Sequence, residues 1–98
     1  MPYKDLDEQR AAVKRTRVRN QQFVRDAKNV PCVDCKARYH FSQMDFDHVR
    51  GAKKFELNAA QRGTHSLTVI AAEIDKCDAV CANCHRLRTY KQQHSGMV

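Results

Sequence analysis

Apolar and polar positions along the chain divide it into a long basic helix, a short alternating strand, a helical middle and a cysteine-rich end. Residues 5–29 contain neither Pro nor Gly and begin with Asp5, Asp7 and Glu8, so they read as one helix with acids at its N-terminus. The apolar stripe of this helix is thin: Val13, Thr16, Phe23 and Ala27 lie roughly on one side, and basic residues cover much of the rest. The helix is expected to dock by its C-terminal end, through Phe23, Val24, Ala27 and Val30, and to leave its basic part exposed. Pro31 ends it, because the residue before a proline avoids helical ψ. Residues 32–41 read as a tight turn followed by a short extended piece. Residues 42–49 alternate, Met44 and Phe46 against Asp45 and Asp47, which predicts a strand. A loop follows over 50–57, turning at Gly51. Asn58 and Gln61 have the spacing of a capping box for a short helix that Gly63 would close. Ser66 caps a further helix whose stripe, Leu67, Ile70, Ala71 and Ile74, is the best amphipathic pattern present and is expected to carry the core. Residues 77–81 predict a second strand and residues 82–92 a last helix. The expected organisation is a basic helical arm over 1–30, a domain over 31–92 and a flexible tail over 93–98.

Ninety-eight residues without Trp, 7% of them aromatic, bury only a thin core. Domains of this size usually depend on a metal, disulfides or a partner chain. No stretch approaches the ~20 apolar residues of a membrane span. MPYKDLDEQR at the start carries acids and no apolar run, so a cytoplasmic rather than a secreted protein is expected. The formal charge of +7 is unevenly placed. Residues 1–30 hold eight basic and four acidic side chains, residues 31–85 seven of each, and residues 86–98 three basic and none acidic. A neutral middle between basic flanks points to a polyanionic partner, nucleic acid being the commonest; a merely solubilising surplus is the alternative.

Cys32-Val-Asp-Cys35 and Cys81-Ala-Asn-Cys84 supply the remedy for the thin core. Two C-x-x-C pairs with 45 residues between them suit four thiolates on one tetrahedral Zn²⁺. The odd total of five cysteines makes disulfides the weaker reading, and a redox pair would need a thioredoxin-like βαβ pattern that is not seen. Cys77, outside both pairs, reads as a small buried hydrophobe.

A second constellation exceeds what a zinc knuckle needs. Asp47-His48 at a strand end and His85 directly after the last cysteine offer a hard oxygen ligand and two imidazoles. That set suits hydrolysis at a phosphate: one imidazole takes a proton from water while a carboxylate and the other imidazole hold a divalent cation. In a regular strand Asp45 and Asp47 share a face and His48 turns away, so Asp47 and His48 serve one site only if the strand ends or bulges between them. Asp45 is therefore kept as a further candidate ligand. His40, His65 and His94 have no partner pattern and read as surface or packing residues.

CVDC, DFDHVRG, the run EIDKCDAVCANCHRLRT and the basic helix ahead of them resemble the HNH nuclease family, in the small versions found in phages and bacteria. The resemblance spans about residues 30–91. It implies an α+β fold, a small ββα-metal domain with a structural zinc knuckle, and cutting or nicking of DNA. It implies His48 as general base, Asp47 and His85 as ligands of a catalytic Mg²⁺, Mn²⁺ or similar ion, and Cys32, Cys35, Cys81 and Cys84 as holders of a structural Zn²⁺. The products would carry 5′-phosphate and 3′-hydroxyl ends. Arg15, Arg17 and Arg19 on the first helix, Arg50, Lys53 and Lys54 beside the site, and Arg86 and Arg88 on the last helix are the residues expected at phosphates. DNA is the implied partner, with phage packaging or replication proteins beside it and the host cytoplasm as location if the chain is phage-encoded; a monomer or weak dimer is expected. The middle Asn of the family motif falls here on Lys76, so Lys76, Cys77 or Asn83 must take its place. The rival reading is a non-catalytic, zinc-stabilised DNA-binding module, which has no need of Asp47, His48 and His85.

Overall fold

The acid-led opening of the chain forms helix α1 (Leu6–Ala27), which ends short of Pro31. The structure, a computed structural model, describes residues 6–60 and 63–94. Asp5, Gln61 and the tail beyond residue 94, all of which entered the sequence reading, lie outside the described residues.

At ~1.5 Å per residue α1 is about 33 Å long, yet its buried residues are only Asn20 and Val24. Val24 joins Leu57, Ile70 and Cys77 in one core cluster, with Phe23, Phe46, Phe55 and Ile74 packed against it. The arm thus docks by its C-terminal half. Val30 takes no part in the docking and is exposed. The residue that the stripe concealed is Asn20, wholly buried and at helical spacing from Thr16 and Phe23. Its Nδ2 donates to the carbonyl oxygens of His65 (3.1 Å) and Gly63 (3.4 Å), and its Oδ1 accepts from the Arg19 guanidinium (3.0 Å). A buried amide is tolerated only when so paired, and this one fastens the helix to the loop just ahead of Ser66.

Strand β1 (Met44–His48) starts later than its alternation suggested, because residues Phe41–Gln43 form a 3₁₀ turn. The His40 ring accepts the Ser42 N–H (3.2 Å) and the Gln43 side chain accepts the His40 N–H (3.3 Å), a local box that outcompetes extension. β1 pairs antiparallel with β2 (Cys77–Cys81) in an unbroken register from Met44↔Cys81 to His48↔Cys77. Neither a bulge nor a strand end separates Asp47 from His48, so the condition expected for the two to act from one side is not met and they leave opposite faces. Opposed residues share a face, so Asp45, Asp47, Asp78 and Val80 lie on one side and Met44, Phe46, His48, Cys77, Ala79 and Cys81 on the other.

Helices α2 (Leu57–Ala60) and α3 (Leu67–Ile74) connect the strands. Asn58 is not the cap of α2 but a residue within it; Leu57, 4% exposed, is drawn into the core and the helix starts there, two residues early. Ser66 does cap α3, its hydroxyl accepting the Val69 N–H at 3.2 Å. Ile70 is fully buried at the centre of the α3 stripe, and so, against the pattern, is Glu73. Helix α4 (Ala82–Gln93) follows β2 directly with Cys81 as its N-cap. A second core cluster, Cys32, Met44, Ala79, Val80 and Cys81, fills the cysteine end of the sheet, and Phe46 packs against both clusters. The architecture is α+β, a two-stranded antiparallel sheet with helices about it. Among the described residues no helix is long and apolar enough to cross a membrane.

Asn20→Ala should cost about 1–3 kcal/mol, through loss of the hydrogen bonds of a buried amide, whereas Arg15→Ala on the exposed face should change stability by less than about 0.5 kcal/mol. Urea unfolding of the two variants measures the difference, and equal midpoints would show that Asn20 does not anchor α1.

Candidate metal centre and histidine cleft

The Cys32–Cys35 segment folds as a knuckle. Lys36 adopts a left-handed φ of 67°. The Lys36 N–H reaches the Cys32 carbonyl (2.9 Å), the Cys32 N–H reaches that of Ala37 (2.9 Å), and the Val33 N–H reaches Ala79 in β2 (3.0 Å). The second knuckle is the β2–α4 junction, where the Cys81 sulfur accepts the Cys84 N–H at 3.4 Å. One sulfur from each of Cys32, Cys35, Cys81 and Cys84 lies within 4.8 Å of the others. Sulfurs of a tetrahedral site stand about 3.8 Å apart when each is ~2.3 Å from the ion, so the cluster could hold a metal ion with little rearrangement.

The surroundings favour thiolate. Burial opposes ionisation of Cys32, but the N–H groups of Cys35, Cys81 and Asp34 outweigh it and bring the thiol down to about 6. The Tyr39 hydroxyl, 3.4 Å from its sulfur, lowers Cys35. Cys84 is pushed up to about 12, first by the Cys81 sulfur beside it and then by burial. Four adjoining sulfurs do not all ionise unaided, and a cation among them removes that conflict. Cys77 stands apart, as the sequence suggested. Its thiol donates to the Glu73 carbonyl (3.4 Å), and burial pushes it up to about 11.

His48 and His85 leave different elements but line one cleft of about 210 Å³, together with Asp45 and Lys28. His85, in the first turn of α4, faces the carboxylate side of β1. Its Nδ1 is 3.0 Å from Asp45 Oδ2, and its Nε2 is 3.8 Å from Asp47 Oδ1. An ionised carboxylate only accepts, so Nδ1–H donates to Asp45, and in the neutral ring the lone pair lies on Nε2, toward Asp47. Two ligands of one cation at ~2.1 Å can stand no more than about 4.2 Å apart, so the Nε2–Oδ1 gap lies within reach of a shared ion. Among the described residues, however, the four cysteines are the group of three or more such side chains close enough to share an ion. The other Asp47 oxygen is already held by Arg88 Nη1 at 2.9 Å.

His48 points from the opposite face of the strand, toward α3. Its Nε2 lies 2.9 Å from Glu73 Oε2, which also accepts the Lys54 N–H at 3.0 Å. Glu73 Oε1 accepts from Lys76 Nζ at 2.9 Å. The Lys76 ammonium, with Lys54 N–H and His48, outweighs the burial of Glu73 and holds its carboxyl down at about 2. Lys76 also fixes the loop after His48: its carbonyl accepts the N–H groups of Val49 (2.9 Å) and Arg50 (3.0 Å), and its Nζ donates to Ala52 (2.7 Å). Of the three substitutes offered by the sequence for a loop-pinning residue, Lys76 makes these contacts, Cys77 is in the core, and Asn83 is exposed on α4. Nothing in the sequence pattern singles out Glu73. The available signal was a Glu three residues before a Lys on the apolar helix, a pair that reads locally as a surface bridge.

The basic residues separate into two sets. Arg88 turns inward: it forks onto Asp34 through Nε and Nη2 (2.6 Å each) and onto Asp47 and Asp78 through Nη1 (2.9 and 3.1 Å). Arg50 grips Asp78 Oδ1 (3.0 Å) and the carbonyls of Asp75 (3.0 Å) and Cys77 (2.6 Å). These contacts hold Asp34, through Arg88, and Asp78, through Arg50 and then Arg88, below the usual carboxylate range. Lys53 is paired with Glu56, and Arg19 with Asn20 and the His65 carbonyl. Arg15, Arg17, Lys54 and Arg86 are exposed. No family model matches the sequence, and no curated protein or solved structure matches it.

Elemental analysis should find about one tightly held metal ion per chain, and Cys35→Ser or Cys81→Ser should lose it together with much of the cooperative fold. A metal-free protein that melts cooperatively, with its thiols freely reactive, would contradict the four-sulfur centre. A second expectation concerns acid. Glu73 ionises near 4.5 when unfolded and near 2 when folded. Its depressed value stabilises the fold above about pH 4.5, and that contribution is lost as pH falls toward 2. Glu73→Gln should therefore narrow its stability deficit against the native chain as pH falls through this window. A deficit independent of pH would mean that the carboxylate charge is not what Lys76 and His48 hold.

Proposed function

We propose that this chain is a metal-dependent DNA endonuclease of the HNH type, in which β1, β2 and α4 form a ββα-metal unit stapled by Zn²⁺ on Cys32, Cys35, Cys81 and Cys84. The observation that carries the reading is that His48 and His85 line a single cleft, each ring held by its own carboxylate. His85 Nε2 and Asp47 would hold the catalytic Mg²⁺ or Mn²⁺, with Asp45 orienting the His85 ring; Asp47 and His48 leave opposite faces of β1, and it is the two histidines and Asp45 that line the shared cleft. Such an ion supplies Lewis-acid stabilisation of charge on the phosphate and the leaving oxygen. His48 takes a proton from the attacking water. The exposed Arg15 and Arg17 of α1 and Arg86 of α4 contact backbone phosphates, which position a duplex without reading its sequence.

The second reading, a zinc-stabilised module that binds DNA without cutting it, draws on one contact: Arg88 already neutralises Asp47. Incubation with supercoiled plasmid separates the two. With Mg²⁺ or Mn²⁺ the native protein should relax or linearise the plasmid. His48→Ala should still bind DNA and lose on the order of 10²–10⁴ in rate. His85→Ala should lose cleavage too, with partial return at higher Mn²⁺. Plasmid binding without cleavage in either metal would favour the second reading, and unchanged cleavage by His48→Ala would overturn the mechanism.

A further inference from the structure

Among the described residues Glu73 is the only buried charged side chain. It sits on α3, across from the end of β1, and accepts three donors: the His48 ring, the Lys54 N–H and the Lys76 ammonium. A carboxylate has about four acceptor positions, and the Lys54 N–H and the Lys76 ammonium fill one on each oxygen. The third is the ring that the proposed mechanism uses as its base. A carboxylate cannot donate, so the hydrogen in the 2.9 Å contact belongs to His48 Nε2. The Nδ1 position is then the only one that can carry a lone pair in the neutral ring.

We infer that Glu73, clamped by Lys76, is the positioning carboxylate of His48: it keeps the ring proton on Nε2 and makes Nδ1 the nitrogen that accepts the proton of the attacking water. The inference rests on the endonuclease reading and deepens it. In the step it describes, a water proton passes to Nδ1 while the water oxygen bonds to phosphorus. The bond from phosphorus to the 3′ oxygen breaks, and that oxygen leaves with the electron pair and takes a proton from solvent. Nδ1 returns its own proton to solvent afterwards. Lys76 links the parts. Its ammonium holds the other Glu73 oxygen, and its backbone carbonyl holds the two residues after His48, so carboxylate, ring and loop are joined through one residue. Lys76 occupies the place where the HNH resemblance would put the motif's middle Asn, and here the pinning passes through a Lys–Glu pair.

The test uses the full, metal-loaded chain. Long-range ¹⁵N–¹H correlation of the native protein at a pH of about 8.5, above the ordinary imidazole range, should show His48 protonated on Nε2 and bare on Nδ1. The reverse assignment, or a ring protonated on both nitrogens, overturns the inference. Plasmid cleavage then ranks two variants per folded molecule. Glu73→Gln keeps the volume and loses the charge; Glu73→Asp keeps the charge and loses a methylene. A residue that only fills space favours Gln. A carboxylate acting on His48 favours Asp, with kcat for Glu73→Gln down on the order of 10²–10⁴ and KM for plasmid unchanged. Equal or better cleavage by Glu73→Gln than by Glu73→Asp overturns the inference while native cleavage keeps the endonuclease reading. A native protein that binds plasmid but does not cut it removes the endonuclease reading and the inference's catalytic step together, whatever the spectrum shows.

Discussion

Four cysteine sulfurs gathered within 4.8 Å bring residues 32–35 against residues 81–84, where they could share a metal ion, and the rest of the molecule is arranged around that meeting point. Two strands alone are marginal in water, and these two are separated in sequence by the whole α2–α3 segment. The cluster works where it does because Cys81 has three duties. It ends β2, it caps α4, and it pairs across the sheet with Met44. Fixing that one residue sets the start of the last helix and one end of the sheet register. The core is correspondingly small, two clusters bridged by Phe46, and a cation at the sulfurs would add its binding free energy to the folding of this thin interior.

What could be read from the sequence was local, and what escaped it was the pairing of distant charges. The alternation of Met44 and Phe46 with Asp45 and Asp47, the cap at Ser66 and the spacing of the cysteine pairs each depend on neighbours within a few residues, and each has its counterpart in the structure. Asn20 and Glu73 could not be found in that way. Each is a polar residue at a core position of a helix, which looks like a flaw in the stripe until its partner some 25 to 45 residues away is known. Arg88 escaped for the same reason. A run of basic residues on a helix suggests a solvated face, and nothing within the run reveals that its second member forks onto three aspartates drawn from both strands and the first knuckle.

That inward arginine changes how the neutral middle of the chain is to be understood. Equal numbers of acids and bases over residues 31–85 do not mean an even mixture. Asp34, Asp47 and Asp78 converge beside the sheet, and Arg88, from outside that stretch, joins Arg50 in offsetting them. Close carboxylates in such a setting repel unless a cation lies among them. Guanidinium groups fill that need at Asp34 and Asp78, while the Asp47 oxygen nearest His85 stays uncommitted to them. Exposed positive charge remains on α1 at Arg15 and Arg17, in the loop after β1 at Lys54 and on α4 at Arg86.

The unbroken strand settles how one short segment can serve two histidines. A bulge between Asp47 and His48 would have put both on one side; instead alternation sends them to opposite faces, and each face has its own helix. α4 meets the aspartate side with Cys84, His85 and Arg88 at helical spacing, so a single stripe touches the sulfur cluster, the Asp45–Asp47 pair and the three-aspartate fork in turn. α3 meets the other side with Glu73. Because strand side chains repeat every two residues, a slip of one position would exchange the faces and break both histidine–carboxylate pairs at once. Register is therefore the quantity that the site depends on. It is pinned at one end by Cys81 and at the other by the Lys76 carbonyl on Val49 and Arg50. The sulfur cluster and the Glu73–Lys76 clamp are in this sense two ends of one device, the first choosing which face each histidine side chain meets and the second fixing the ring at its far end.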